Sequence, residues 1–527
     1  MACLSMSMLP STAICALSSL STRPSPRRTP PALLTLPASH SLLSPSPDLI
    51  VVGGGPAGVF SAIAAARAGC DVLVIEASAH LLAKVRVSGG GRCNVMHDHT
   101  SWDPRGGREL LQLRYPRGAT QLTGALTKRF SPAETAAWFE AEGVELKCEA
   151  DGRVFPSTDD SSTIIDALLS AAKRAGVQFQ LRSKVLRIER SPESCGVRAG
   201  WPGFRVSTRT GRGAESSVLS CRALILATGS SSHHLASSLG HEIAPLVPSL
   251  FSFRLRAGST LDASLAGVSV QDAQLTLLPS PGQSPVATES KGKGGGIPAG
   301  RKAHRRKADL SARGPLLITH RGLSGPAALK LSAFAAVELA KRKYTGSLEL
   351  NLAPSLGRSE LSSELSAFRV RMPSKAITNA NPFGIPKRLW HAVVCGSQQP
   401  NETSEQRGAQ HAIDPSKPWA QLSKADLRAL EERTCRMPLE FVGKDSNKEE
   451  FVTAGGVSWS GVDTSRMASK TVDGIFFAGE HLDVDGITGG HNFQSCWTTG
   501  FIAGNSAAKF VHDSSDTESG AARIDTY

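Results

Sequence analysis

The sequence predicts an α/β fold in which a parallel sheet, formed by both ends of the chain, is interrupted by an antiparallel β-barrel and a small helical subdomain. An apolar run at 49–52, a glycine turn, a helix-forming segment and a second apolar run at 72–75 follow the order of a strand–helix–strand unit. Short alternating runs over 246–353 favour an antiparallel barrel. A further apolar strand, glycine turn and helix follow at 474–508. The predicted domains are a leader at 1–47, the two parts of the sheet domain at 48–245 and 448–512, the barrel insert at 246–353, the helical subdomain at 354–447 and a disordered tail at 513–527.

The first glycine turn, residues 53–58, reads GGGPAG and fits the pattern G-x-G-x-x-G. In such a turn the first glycine permits the tight bend, the second lets the backbone approach a pyrophosphate, and the third lets the helix pack closely on the strand. Glu76 ends the second strand and is able to accept hydrogen bonds from the hydroxyls of an adenosine ribose. The arrangement indicates a Rossmann-like dinucleotide-binding unit. A tight turn that binds no ligand is the alternative.

Two later segments have the composition of ligand-binding turns. Residues 88–94 read SGGGRCN, in which three glycines let the backbone lie against a bulky group while Arg92 and Asn94 supply hydrogen-bond donors. After the strand that ends at Gly479 and Glu480, an acid and a glycine turn precede a helix start that suits a polyol and a flavin ring. A surface loop and an ordinary strand–helix turn are the respective alternatives.

The charge distribution does not predict a nucleic-acid groove. The 527 residues carry a formal net charge of +13. Residues 1–47 contain three arginines and no acid, and residues 291–307 contain seven basic residues and no acid, so the rest of the chain is only weakly basic. The basic cluster lies in a Gly-, Pro- and Ser-rich stretch, 279–313, which we expect to be a disordered loop. No run of 18 apolar residues occurs, so no membrane span is predicted.

The leader and the cysteines bear on localisation. Residues 1–47 are rich in Ser, Pro, Ala and Leu and resemble an organelle transit peptide in composition. The density of Ser favours the chloroplast, and the mitochondrion is the alternative destination. A disordered N-terminal tail with no targeting function is the third possibility. The ten cysteines contain no C-x-x-C pair, which suits a reducing compartment. The sequence predicts no metal site.

Taken in order, six motifs resemble the aminoacetone-oxidase-like family of FAD/NAD(P)-binding oxidoreductases. This family includes bacterial flavoproteins tied to bile-acid dehydroxylation and plant members of unclear role. The resemblance covers about 48–510 and implies an FAD domain made of both chain ends. The motifs are GGGPAG at 53–58, SGGGRCN at 88–94, GRVFP at 152–156, THRGLSGPA at 319–327, VTAGGV at 452–457 and FAGEHLDVDGITGGHNFQ at 477–494.

The resemblance also implies which residues contact the cofactor. The turn at 53–58 and Glu76 would hold the adenosine diphosphate, 89–94 would lie along the flavin, and Asp485 with 489–492 would hold the ribityl chain and the ring. The complete predicted set is Gly53, Gly55, Pro56, Ala57, Gly58, Glu76, Gly89, Gly90, Gly91, Arg92, Cys93, Asn94, Val185, Ala227, Thr228, Gly229, Gly479, Glu480, Asp485, Gly489, Gly490 and Asn492.

The function predicted is that of an FAD-dependent oxidoreductase with hydride transfer at flavin N5 and a small-molecule substrate between the FAD domain and the barrel. Only one dinucleotide fingerprint is present, so NAD(P)H, if it is the reductant, would bind transiently. His491 and Cys93 are candidate catalytic groups, and for both the alternative is simple packing. A flavin-containing RNA-associated or tRNA-modifying protein and a non-catalytic FAD-binding protein are the alternative functions.

Overall fold

The computed structural model describes seven segments of the chain, which are residues 46–98, 107–191, 203–211, 216–279, 310–396, 411–445 and 452–521. They belong to one compact unit, 44–527. Nearly all of the predicted transit peptide and the whole basic cluster at 291–307 lie outside the described residues. Among the helices of these segments, none combines the length and the apolar character needed to cross a bilayer.

A seven-stranded sheet confirms the predicted α/β class. The neighbouring strands β6, β2, β1, β10 and β21 run parallel, and β20 and β19 continue the sheet antiparallel. Every residue of β1, β2 and β10 is buried, as expected for strands covered on both faces. In sheet order the strands are β19 (Val462–Asp463), β20 (Ala468–Ser469), β21 (Ile475–Phe477), β10 (Ala223–Leu226), β1 (Leu49–Val52), β2 (Val72–Ile75) and β6 (Gln178–Gln180).

Two helices from opposite ends of the chain pack together beside this sheet. They are α1 (Pro56–Arg67) and α13 (His491–Ala521). A Cβ atom added to Gly500 of α13 would lie 2.8 Å from the Ala57 carbonyl oxygen, and one added to Gly504 would overlap the Ser61 carbonyl oxygen. The backbones therefore approach more closely than any larger residue would allow.

Three small antiparallel sheets and six further helices complete this domain. Strands β3, β5 and β4 form one sheet, β7, β8 and β9 form a second, and β11 pairs with β18. The elements are α2 (Ala83–Val87), β3 (Met96–His97), α3 (Gly107–Arg114), α4 (Ala119–Lys128), α5 (Pro132–Ala141), β4 (Leu146–Cys148), β5 (Arg153–Pro156), α6 (Ser161–Arg174), β7 (Ser183–Ser191), β8 (Gly203–Thr210), β9 (Ser216–Cys221), α7 (His234–Ser238), β11 (Ile243–Ser249) and β18 (Val452–Val457).

The predicted antiparallel barrel is present and closed, in the strand order β12-β15-β14-β13-β16-β17. Strand β17 pairs with both β12 and β16, so it closes the barrel and removes two open edges. The barrel strands are β12 (Ser252–Leu255), β13 (Ser269–Leu277), β14 (Ser311–Ile318), β15 (Gly322–Ser324), β16 (Gly346–Asn351) and β17 (Met437–Asp445), with α8 (Pro326–Phe334) and α9 (Ala336–Lys341) between β15 and β16.

Two predicted boundaries of the barrel were wrong. Residues 311–313, expected in the disordered loop 279–313, belong to β14, where pairing with β13 supplies hydrogen bonds that a loop would leave to water. The closing strand β17 lies within the segment expected to be helical, 354–447. Its alternating buried residues, Met437, Leu439 and Phe441, show the strand period only once their partners on β16 are known.

The helical insertion packs as part of the barrel. Helices α10 (Arg358–Arg371), α11 (Lys387–Cys395) and α12 (Lys424–Cys435) lie between β16 and β17 in sequence. The buried side chains of this insertion, including Trp390 of α11 and Trp419 in the segment between α11 and α12, belong to the same apolar cluster as the barrel interior. The insertion thus completes the barrel core.

The C-terminal helix is longer than expected. The sequence places a disordered tail at 513–527, whereas α13 continues to Ala521. The Ser-, Asp- and Gly-containing stretch after 512 would not nucleate a helix. Extension of an existing helix avoids the cost of nucleation, and α13 is already anchored against α1.

We predict opposite effects for two Gly→Ala substitutions within helices. Gly504→Ala should lower the free energy of unfolding relative to the wild type by about 1–3 kcal/mol, the range for overpacking, because a Cβ at Gly504 overlaps the backbone of α1. At Gly124 in α4, by contrast, the same methyl meets no described atom within 4 Å and should stabilise by about 0.5–1 kcal/mol. Urea denaturation of both variants measures the difference, and equal midpoints would contradict the close approach.

Candidate cofactor-binding site

The turn between β1 and α1 holds Glu76 in place. Gly53 has a φ of +110°, and a Cβ there would overlap the Ala227 carbonyl oxygen, so the turn requires glycine. The backbone N–H of Gly54 donates to Glu76 Oε2 at 2.7 Å, and the N–H of Ser78 donates to Oε1 at 2.7 Å. The carboxylate is therefore held where β1 and β2 end, with further lone pairs left for a ligand hydroxyl.

The start of α1 offers an open site for an anion. The N-cap residue is Gly55, which has no side chain, and Pro56 takes the first helical position. A Cβ added to Gly55 would find no described atom within 4 Å, so the space in front of the helix is open. Free N–H groups and the helix dipole favour a negative group at such a position. These features fit the diphosphate of a dinucleotide.

The SGGGRCN segment presents bare backbone. Gly89, Gly90 and Gly91 have φ values of +58°, +70° and +88°, and a Cβ on either of the last two would meet no described atom within 4 Å. With its amide oriented to satisfy both partners, Asn94 donates to the Met96 carbonyl at 3.0 Å and accepts from the Gly490 N–H at 3.0 Å. This pairing ties the segment to the predicted turn at 489–490 in front of α13.

The ends of β10 and β21 lie beside the same helix start. The Ala227 N–H donates to the Val52 carbonyl at 2.9 Å. A Cβ on Gly229 would lie 3.8 Å from Glu480 Oε2, and one on Gly479 would lie 2.6 Å from the Cβ of Ala57. Residues predicted from three distant parts of the sequence are thus brought together at one edge of the sheet.

Two further predicted residues flank this edge. Thr228 has its Oγ1 2.9 Å from His481 Nδ1, beneath the turn that carries Glu480. Val185 is buried in β7, whose first residue, Ser183, donates its N–H to the Glu76 carbonyl at 2.9 Å. Val185 therefore lies near the adenosine end of the predicted site.

Asp485, predicted to bind a ribityl chain, is buried and paired with protein groups in this structure. Asp485 is 0 % exposed, and its carboxylate accepts two hydrogen bonds from Arg117 and one, at 2.7 Å, from Ser249 Oγ. Burial raises the pKa of Asp485, and Arg117 opposes that shift. Arg117 also donates to the Ala333 carbonyl at 3.0 Å. Asp485 thus joins the FAD domain to the barrel part and has no surface left for a ligand.

Arg92 is also engaged elsewhere. Its Nε donates to Asp159 at 2.8 Å, its terminal nitrogen donates to Glu149 at 2.5 Å, and the guanidinium lies 4.0 Å from the ring centre of Phe155. The predicted donor role toward the flavin is therefore not supported. The side chain instead braces the glycine segment against β5 and its neighbours.

The two candidate catalytic groups are both buried. Cys93 is 0 % exposed, and burial raises the pKa of its thiol to about 12, so it is a thiol and not a thiolate at neutral pH. His491 is 1 % exposed, and burial holds its pKa well below the usual value, so its imidazole is neutral. Its Nδ1 has no hydrogen-bond partner in the described part of the chain. These environments favour the packing alternatives for both.

Sequence reasoning missed two residues at the same edge. The half-buried His97 packs at a tilt against His491 with ring centres 4.8 Å apart, and its Nδ1 lies 3.2 Å from the Gly489 carbonyl oxygen. Lys84 forms an ion pair with Glu480 at 2.5 Å. Both residues flank the SGGGRCN segment, which was the available signal, but their partners are almost 400 positions away in the sequence.

The fold and the site together define an FAD-binding flavoprotein with a Rossmann-type domain. Contacts link Glu76 to Gly54, Gly229 to Glu480, Gly479 to Ala57 and Asn94 to Gly490. These turns, which we call the cofactor strip, suit an extended dinucleotide. The family model described as HI0933-like protein Rossmann domain matches residues 47–506, and the chain belongs to this family of FAD-binding oxidoreductases. The finer resemblance to aminoacetone oxidases stays a prediction.

Two characterised relatives match nearly their whole length. The 3-dehydro-bile acid delta(4,6)-reductase of Clostridium scindens is 26 % identical over 475 residues, covering 87 % of this chain and 98 % of the relative. The ribosomal RNA dihydrouridine synthase of Escherichia coli is 26 % identical over 453 residues, covering 86 % of this chain and 96 % of the relative.

Two of the solved structures that the chain matches have TM-scores below 0.5. The 3-ketosteroid-delta4-(5alpha)-dehydrogenase of Rhodococcus jostii has a TM-score of 0.45 at 13 % identity and covers 89 % of this chain and 98 % of its own. An open flavocytochrome c3 fumarate reductase has a TM-score of 0.41 at 16 % identity and covers 89 % and 79 %.

We predict that Cys93 is unreactive in the folded protein. A disulfide reagent at neutral pH should modify the exposed Cys148 readily, while Cys93 should react only after denaturation, because its pKa is raised to about 12 and its side chain is buried. Mass spectrometry of the labelled peptides measures both sites in one sample, and Cys148→Ser identifies the fast signal. Labelling of native Cys93 at the rate of Cys148 would restore the reactive-thiol hypothesis.

We also predict that Glu76→Arg weakens FAD binding about tenfold or more, a change of about 1.4 kcal/mol or more. The variant loses the acceptor for the ribose hydroxyls and for the N–H groups of Gly54 and Ser78. Glu140→Arg, which makes the same charge change on the exposed face of α5, is the matched control and should bind as the wild type does. Flavin fluorescence quenching gives both affinities, and full FAD occupancy in Glu76→Arg would contradict the assignment.

Proposed function

We propose that this protein is an FAD-dependent reductase of carbon–carbon double bonds that are conjugated to a carbonyl group. The observation that carries the proposal is the chemistry shared by the names of the two full-length relatives. A delta(4,6)-reductase of a 3-dehydro bile acid acts on double bonds that are conjugated to the 3-ketone. A dihydrouridine synthase saturates the double bond of uracil, which is conjugated to a ring carbonyl.

Such a reduction adds a hydride to the carbon distant from the carbonyl and a proton to the carbon next to it. FAD, when bound and reduced, supplies the hydride. At the ring end of the site the chain contributes the half-buried His97, whose imidazole is neutral because burial and the nearby Arg114 lower its pKa. A carbonyl compound that binds there meets this imidazole and the bare backbone at Gly489.

The proposed reductant is NAD(P)H. The sequence holds one complete G-x-G-x-x-G fingerprint, at 53–58, and this turn is already assigned to FAD. A nicotinamide cofactor would therefore bind only for the duration of flavin reduction and leave before the substrate enters. This order requires only one open face of the flavin.

We propose a small-molecule substrate ahead of an RNA substrate. A second relative named ribosomal RNA dihydrouridine synthase, from Haemophilus influenzae, is 24 % identical over 470 residues, and this match is the observation that favours the RNA alternative. Against it, several surface arginines of the barrel part are already paired with carboxylates, which weakens a positive field for phosphates. These pairs are Arg256–Glu440, Arg313–Asp272 and Arg321–Asp445.

The chloroplast is the proposed compartment, with the mitochondrion as the alternative. The support is the composition of residues 1–47, which contain three arginines and no acid. A fluorescent protein fused behind this leader reports the destination directly in plant cells, and a diffuse cytosolic signal would remove the proposal.

The predicted activity is tested by anaerobic reoxidation of the flavin. Protein reduced with one equivalent of NAD(P)H should regain oxidised-flavin absorbance when a 4-ene-3-ketosteroid is added, and a saturated 3-ketosteroid should leave it reduced. Reoxidation by uridine-containing ribosomal RNA, with dihydrouridine formed, would select the RNA alternative instead. If neither the unsaturated ketone nor the RNA reoxidises the flavin, and the colour returns only when oxygen is admitted, the proposal is overturned. Flavin that no reductant bleaches would favour the non-catalytic alternative.

A further inference from the structure

An ion pair joins helix α2 to the turn after β21, which is part of the cofactor strip. Lys84 Nζ of α2 is 2.5 Å from Glu480 Oε2, in the turn after β21, and the two residues are 396 positions apart. The Glu480 side chain is only 12 % exposed, whereas that of Lys84 is 54 % exposed. The carboxylate is thus fixed within the fold, while the ammonium group it holds remains accessible.

The surroundings place this pair beside the start of α1. The turn that carries Glu480 packs on the first turn of that helix, where a Cβ on Gly479 would lie 2.6 Å from the Cβ of Ala57. On the other side, the Leu82 N–H donates to the Gly54 carbonyl at 2.9 Å and anchors the segment that leads into α2. Lys84 is therefore held close to the open space in front of Gly55.

A cation at this position would balance the negative charge of the strip. Glu76 and Glu480 contribute two carboxylates, and a diphosphate brings further negative charge, so binding without a nearby cation would be opposed by repulsion. Arg92 is held by Glu149 and Asp159. The ammonium of Lys84 stays charged, since the pKa decrease from partial burial is outweighed by the attraction of Glu480.

We propose that Lys84, oriented by Glu480, binds the diphosphate of the dinucleotide and is the main side-chain determinant of affinity for that group. Glu480 is a positioning residue in this scheme: it limits the rotamers of a flexible lysine and keeps the ammonium at the helix start. The inference rests on the FAD binding of the proposed function, but it concerns a part of the ligand that FAD shares with ADP.

The test is a comparison of ligands that contain or lack the diphosphate. Lys84→Gln should weaken binding of FAD and ADP to the cofactor-free protein about tenfold and leave the binding of adenosine and riboflavin unchanged. Lys84→Arg should retain most of the affinity for ADP. Arg86→Gln removes one positive charge from an exposed position on the same helix and should change neither ligand set. Isothermal titration calorimetry measures all four affinities without any turnover.

A purely structural role for Lys84 makes a different prediction. If Lys84 only neutralises the buried Glu480, the double variant Lys84→Gln/Glu480→Gln, which leaves no unpaired carboxylate, should recover both stability and ADP affinity. Our proposal expects its urea midpoint to recover while ADP binding stays weak. Recovery of both, or unchanged ADP affinity in Lys84→Gln, overturns the inference.

Failure of the proposed function would give a separate result. Wild-type protein that binds ADP with a Lys84-dependent affinity, but accepts no flavin, would disprove the flavoenzyme assignment and support the diphosphate site. If the wild-type protein binds FAD and the Lys84 variants bind it equally well, the flavoenzyme assignment is supported and the diphosphate site at Lys84 is disproved.

Discussion

The structure depends on the close approach of two helices from opposite ends of the chain. Helix α13 reaches the backbone of α1 only because Gly500 and Gly504 have no side chains. The same closure places β21 beside β10 in parallel register, with Phe477 opposite Leu226. Every contact between the two halves of the cofactor strip follows from it, including the approach of Gly479 to Ala57 and the hydrogen bond between Asn94 and Gly490.

A buried ion pair connects this core to the barrel. Arg117 reaches Asp485, which is anchored by Ser249 at the end of β11, and also reaches the end of α8 through the Ala333 carbonyl. Removing one partner of such a pair leaves an uncompensated charge in the interior, which is costly. The pair therefore holds α8 of the barrel part in a defined position against the sheet domain.

The charges of the site divide into two kinds. Asp485 and Arg92 were both predicted to contact the cofactor, and both prove to be neutralised by protein partners. Glu76 differs because it accepts hydrogen bonds from backbone N–H groups and keeps its charge, and Lys84 differs because it is paired with one carboxylate and stays 54 % exposed. The protein partners of each side chain, rather than its residue type, separate the residues that brace this site from those able to bind a ligand.

The sequence by itself determined the α/β class, the turn at 53–58 and the antiparallel barrel, because glycine spacing and the periods of apolar residues are local and depend on neighbouring positions. Only the tertiary structure decided which polar side chains are free. Whether Asp485 meets Arg117 or a ribityl hydroxyl, and whether Lys84 meets Glu480, depends on partners hundreds of residues away. For the same reason the sequence missed β17, whose role as a strand follows from closure of the barrel between β12 and β16.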